Sequence, residues 1–167
     1  MDAIFKRRSI RKYESRTVEK EKIELLLKAA MQAPSAGNQQ PWEFIVVQNK
    51  EMLKNLSMMS PYAGMVAEAP LAIVLLGNKD YMKYPENWEQ DMGAATQNLL
   101  LQAVELDLGA VWLGVAPLEE RMDYVNRLFN LSENIMPYCV VPIGYPKGQE
   151  NKMIDRFDEE RVHYEKY

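Results

Sequence analysis

The stretch from about Glu86 to Leu108 contains neither proline nor a run of turn residues, so it predicts the longest helix of the chain. Trp88, Met92, Ala95, Leu99, Ala103 and Leu106 recur along it at three- and four-residue steps. Apolar side chains also occupy much of its remaining surface, and such a helix must be covered on several sides. A chain of 167 residues holds one domain's core and is short for two. An oligomer interface over this helix is therefore expected. Gly109 is expected just beyond its C-terminal cap.

Shorter patterns predict the other elements. Asp2 is placed to cap a short helix carrying Ile4 and Phe5. Thr17 is the expected N-cap of a second helix, with Glu19 and Glu21 near its positive end. Ile23, Leu26, Leu27, Ala30 and Met31 share one face of that helix, and Pro34 ends it. Phe44–Val47 and Leu71–Leu76 predict two buried strands, with a helix near Glu51–Met58 between them. Val111–Leu113 and Tyr138–Ile143 predict two more strands, separated by a helix over Glu119–Phe129 with Met122, Val125 and Phe129 inward. Lys147–Tyr167 is charged at about half its positions and carries too little core pattern to fold alone. No internal repeat or Gly/Ser-rich linker divides the chain, so residues 1–167 read as one domain.

Composition removes many functions. A net charge of -4 argues against a nucleic-acid binder, which needs a basic surface. No apolar run approaches the roughly 20 residues that cross a bilayer, and Met1–Lys6 carries no apolar leader segment, so a cytoplasmic location is expected. Cys139 is the only cysteine and His163 the only histidine. Disulfide frameworks, histidine-rich metal sites and cysteine clusters therefore drop out, and nothing near His163 suggests a nucleophile. The eight glycines form neither G-x-G-x-x-G nor a P-loop. If the chain is an enzyme, a cofactor supplies its reactivity.

Four segments have functional character. Arg7, Arg8 and Arg11, with Ser9 among them, could surround a phosphate through charge-assisted hydrogen bonds, or form a solvated basic helix end. Ser35–Pro41 offers short polar side chains and exposed backbone to a ligand, or is simply a loop. Gly114, following Leu113, could let a flat ring approach the backbone, or serve a turn. Arg156 could close over an anion, or stay solvated.

Their order is more specific than any one of them. RRSIR at 7–11, PSAGNQQPW at 34–42, DMGAATQNLLLQAVELDLGAVWLG at 91–114, VVPIGYP at 140–146 and DRFDEERVHYEKY at 155–167 together resemble the FMN-dependent nitroreductase family, in its short branch. The resemblance covers nearly the whole chain. It implies an α+β fold, with a central, mainly antiparallel sheet packed between helices. It also implies an intertwined homodimer in which residues 147–167 form an arm that crosses to the partner.

The same resemblance implies site roles. Arg7, Ser9 and Arg8 would face the FMN phosphate and ribityl chain, and Arg11 the N1/O2 edge of the flavin ring. Pro34, Ser35, Ala36, Asn38 and Gln40 would form a second flavin motif, offered largely to the other subunit's site. Leu113 and Gly114 would lie near flavin N5, and Arg156 would return to the phosphate. No side chain is implied as catalytic, because flavin N5 carries the chemistry. NAD(P)H would reduce the flavin, and a nitroaromatic, quinone or similar flat acceptor would reoxidise it by a ping-pong scheme. Val162-His163-Tyr164 stands where many relatives carry a tryptophan. The Met58–Met65 region and the Tyr81–Trp88 loop would border the acceptor, or Met58, Met59 and Met65 would merely fill a gap; Trp42 and Trp112 read as core. Alternatives on the same scaffold are a flavin-fragmenting or dehalogenating enzyme, and a flavin-binding redox sensor without nicotinamide turnover. An interaction domain without flavin is a further alternative.

Overall fold

Leu71, Ile73 and Leu75 point to one side of strand β2 (Leu71–Asn78), and Ala72, Val74 and Leu76 to the other. Both faces feed a core, which is why this strand reads as a continuous apolar run. The computed structural model describes residues 2–167. Its antiparallel sheet sets β2 between β1 (Trp42–Val47) and β5 (Ile135–Gly144). The two-residue strands β3 (Gly109–Ala110) and β4 (Leu113–Gly114) also pair with β5. Helices α2 (Lys20–Met31) and α4 (Trp88–Glu105) cover the first face, against Leu75, Val141 and Ile143. Helices α3 (Lys50–Leu56) and α5 (Glu119–Phe129) cover the second, through Leu53, Leu56 and Val125. The expected sheet between two helical layers is what the chain forms.

Several boundaries differ from expectation. β1 is paired only with β2, so Val46 is exposed and Phe44 and Ile45 are half-buried rather than core. Val111 and Trp112 interrupt the third strand and split it into β3 and β4. Met31 is 46% exposed. The N-cap of α2 is Glu19, not Thr17. The Glu19 carboxylate accepts from the Tyr145 hydroxyl at 2.6 Å and from Arg16 at 2.7 Å. The Tyr145 bond foremost, then Glu19's own backbone N–H and then Arg16, hold it down at about 2.

The end of α4 also differs. Asp107, at φ 60°, takes the left-handed position expected of Gly109. The Leu108 N–H donates to Ala103 O at 2.8 Å and the Asp107 N–H to Val104 O at 3.1 Å, the paired closure of a Schellman motif. Gly109 is needed for another reason. A Cβ there would lie 2.5 Å from Ile10 Cγ2, so the glycine leaves the slot that Ile10 fills.

Met92, Ala95, Leu99 and Ala103 bury the inner face of α4. Its outer face leaves Leu101 and Val104 half-buried. Beside it, helix α1 (Ala3–Lys6) exposes Ile4 and Phe5, each 52% accessible. Among the described residues, no helix is long and apolar enough to cross a membrane.

Candidate functional site

The arginine-rich segment runs beside β3 as a strap. Ser9 bridges to Ala110, and the Ile10 N–H donates to Ala110 O at 3.0 Å. Tyr13, buried opposite Pro146, donates from its hydroxyl to Ile10 O at 2.6 Å. Burial in this apolar setting raises its phenol well above the ordinary range. The first part of the 147–167 stretch follows this strap. Gln149 Oε1 accepts from the backbone N–H of Arg11 (2.8 Å) and Lys12 (3.0 Å). Asn151 Oδ1 accepts from the Arg8 N–H, and its Nδ2 donates to Leu108 O, both at 3.0 Å. From Lys152 onward every residue is exposed.

This layout brings Arg156 towards Arg7 and Arg8. Burial first, then the charge of Arg156, then that of Arg8, weakens the hold of the half-buried Arg7 on its proton. Among the described residues, none of these guanidinium groups has a carboxylate within salt-bridge distance. The Arg8 guanidinium turns back onto the carbonyls of Phe5 and Arg7, and its buried Nε has no partner. The cluster is short of negative charge. Arg8, Ser9 and Ile10 also line an open cleft of about 510 Å³, with Gly148–Glu150 and Lys152 on its other side. Arg11 is exposed, its guanidinium reaching only Ser9 O at 3.3 Å.

The next strand continues the same edge. Leu113 and Gly114 pair with Val140 and Cys139 and are half-buried. A Cβ at Gly114 would meet nothing nearer than Ala116 O at 3.9 Å, so packing within the chain does not require glycine there. The backbone is left open to a neighbour. A cavity of about 200 Å³ lies beside it, bounded by Met59, Tyr62, Trp112 and Arg121. Trp112 is thus half core and half wall; it packs on Tyr138 at 5.7 Å between ring centres. Of the methionines, Met59 is buried, Met65 packs beside the Ile10–Tyr13 pair, and Met58 points out, 67% exposed.

The Pro34–Gln40 segment sits elsewhere, at the start of α4. Gly37, Asn38 and Gln40 adopt φ of 54°, 54° and 48°. The Ser35 hydroxyl oxygen accepts from the Gln40 N–H at 3.0 Å, and Asn38 Oδ1 from Gln40 Nε2 at 3.1 Å. Pro34, Asn38 and Gln40 are exposed, and Ser35 and Ala36 half-buried. Among the described residues, no hydrogen bond joins this loop to the arginine strap or to β4. Within one chain, the sequence-derived residues therefore form two groups: Arg7–Arg11 with Arg156 and Leu113–Gly114 along one sheet edge, and Pro34–Gln40 apart from them.

A model of the Nitroreductase family matches residues 4–60 and 53–145. The chain belongs to the nitroreductase family. A crystal structure of a provisionally named NADH oxidase from Clostridium acetobutylicum is 60% identical, with a TM-score of 0.98 over 99% of this chain and 100% of that one. A protein of Methanothermobacter thermautotrophicus, provisionally named NADH dehydrogenase/NAD(P)H nitroreductase, is 47% identical over 100% of this chain and 87% of its own length. An FMN-dependent nitroreductase of Clostridium difficile is 35% identical, with a TM-score of 0.90 and full coverage of both chains.

Residues that the motifs alone do not single out hold the candidate site together. Gln149 and Asn151 pin the strap. Buried Asp91 holds the loop: its carboxylate accepts from the Ala36 N–H at 2.9 Å and from Gln39 Nε2 at 2.6 Å. Gln39 Oε1 in turn accepts from the Tyr84 N–H at 2.8 Å. One signal was present, since an acidic residue at helical spacing between Trp88 and Ala95 stands in a core-facing register. Asp91→Asn would set an N–H₂ group against a donor that Gln39 cannot reverse without losing Tyr84. It should destabilise the fold by about 1–3 kcal/mol, seen as a lower urea midpoint at unchanged slope. An unaltered midpoint would show that the clamp is dispensable.

Proposed function

We propose that this chain binds FMN and works as an NAD(P)H-dependent oxidoreductase that reduces nitroaromatic, quinone or similar flat acceptors. The observation that carries this reading is the charge-deficient cluster of Arg7, Arg8 and Arg156 on the same sheet edge as the open backbone at Gly114. The cluster suits a dianionic phosphate, and the glycine lets a flat ring lie against β4.

In this reading Arg7, Ser9 and Arg156 hold the phosphate, with Arg8 supporting the strap from its carbonyl contacts. Arg11, with no side-chain partner, reaches the pyrimidine edge of the ring, where a cation favours added negative charge. Leu113 and Gly114 lie against the ring face. Pro34, Ser35, Ala36, Asn38 and Gln40 serve the site of a second copy, since within one chain they stand apart from the strap. The two copies meet over the outer face of α4 and α1, where Leu101 and Val104 are half-buried and Ile4 and Phe5 exposed. The exposed end of the chain beyond Arg156 forms an arm laid on the partner, while Gln149 and Asn151 keep the start of the 147–167 stretch on its own strap. When bound, FMN supplies hydride acceptance and electron release, which none of these side chains can perform. The protein orients the reactants and keeps bulk water from the ring. Donor and acceptor use the space beside Gly114 in turn, so initial-rate plots are expected to be parallel, and a transient donor requires no dedicated dinucleotide fold.

Purified protein should be yellow, should bleach when NADH is added without oxygen, and should regain colour with a quinone. Light scattering should give about twice the chain mass of 19.3 kDa. Colourless protein would overturn the cofactor. Yellow protein that NADH does not bleach would leave a flavin-binding sensor instead of an enzyme. A monomer retaining flavin would overturn the shared site.

A further inference from the structure

We infer that Arg121 anchors an anionic substituent of the electron acceptor, so that acceptors bearing a carboxylate on a single flat ring are preferred; this rests on the oxidoreductase reading above. Arg121 stands in the first turn of α5 and lines the cavity beside Gly114. Its Nη1 donates to Gly114 O at 2.8 Å. A guanidinium has five N–H donors, and this bond uses one.

Nothing in the chain neutralises the charge. Glu119, Glu120 and Asp123 lie one or two residues away on the same helix, and such neighbours do not face each other. The three- and four-residue positions around Arg121 hold Pro117, Leu118, Tyr124 and Val125. Among the described residues, no carboxylate comes within 4.0 Å of it. Arg121 is half-buried, facing a half-open pocket whose other walls include Met59, Tyr62 and Trp112 together with Ser60 and Ala63. A neutral donor would serve the Gly114 carbonyl equally well. A partly desolvated, unpaired cation among aromatic and thioether groups instead matches a ring that stacks while its anionic end pairs.

The half-open pocket of about 200 Å³ has room for a single flat ring with a small anionic group.

The test uses the flavin-loaded protein. Benzoate and benzamide are matched in shape and differ in charge, and neither is reduced. Their binding is read by calorimetry and by perturbation of the flavin spectrum. The kcat/KM values of 4-nitrobenzoate and 4-nitrobenzamide with NADH give a second ratio. Benzoate should bind about tenfold more tightly than benzamide, with a similar ratio for the nitro pair, as expected for one charge-assisted contact. Arg121→Gln keeps a donor for Gly114 and removes the charge, so both ratios should fall to about one. Arg121→Lys should restore part of the preference. Arg121→Met repeats the charge removal should the glutamine variant fail to fold.

No preference in the native protein, or a preference that survives both neutral variants, would overturn the inference. A benzoate preference without bleaching by NADH would support the anchor while removing the proposed activity. Bleaching without the preference would remove the anchor alone.

Discussion

Arg7→Ala should weaken FMN binding by about ten- to a hundredfold while changing riboflavin affinity little, because riboflavin lacks the phosphate. Loss of one charge-assisted bond to a dianion costs about 1.5–3 kcal/mol. The position suits such a loss. Arg7 is half-buried, lies near Arg156 and Arg8, and has no carboxylate partner among the described residues. Without an anion these charges repel, so the alanine variant relieves strain in the empty protein as it weakens the loaded one. Apo protein should therefore keep or slightly gain thermal stability, and stabilisation by added FMN should shrink. Fluorescence titration of both flavins decides it. Equal losses would show that Arg7 holds the strap rather than the phosphate.

Removing the chain from Asp155 onward should abolish flavin retention and the dimer together. The segment is held only loosely by its own chain, since every residue from Lys152 on is exposed. A charged stretch of this kind is ordered only by what it lies on. It also carries Arg156, which lies near Arg7, so on the proposed reading its removal takes a phosphate contact with it. Gel filtration and the visible spectrum of the shortened chain read both effects at once. A yellow dimer would mean that the arm serves neither role.

The parts of the fold legible in the sequence are those where one physical demand acts alone. Helix α5 runs over Glu119–Phe129 as its periodicity predicts, and β2 extends the apolar run Leu71–Leu76 by Gly77 and Asn78. Termini were harder, because several residues compete for the same backbone groups. Glu19 rather than Thr17 stands at the N-cap of α2, and its carboxylate goes to Tyr145 and Arg16 instead of capping the helix. Asp107 takes the left-handed turn because Gly109 is needed under Ile10.

The candidate site divides in the same way. The arginines and the 34–40 loop announce themselves by type and order. What positions them does not: the bonds from Gln149 to the strap and from Asp91 to the loop join residues far apart in sequence, and glutamine or aspartate alone names no partner. Arg121 was missed for the opposite reason, since an arginine in an amphipathic helix reads as ordinary surface until the cavity beside it is known.

The strap's attachments also set an order of construction. The segment from Arg7 to Tyr13 is made early, yet its seats are Ala110, Pro146, Gln149 and Asn151. A chain still on the ribosome can close Ile10 over Gly109 only after residue 109 has emerged, and Tyr13 against Pro146 only after residue 146 has. The earliest portion of this motif is among the last to be fixed, and a nascent fragment has no means of gripping a phosphate. On the proposed reading, scarce flavin would leave folded, empty protein whose neighbouring cations await an anion, open to phosphate or nucleotides in its place.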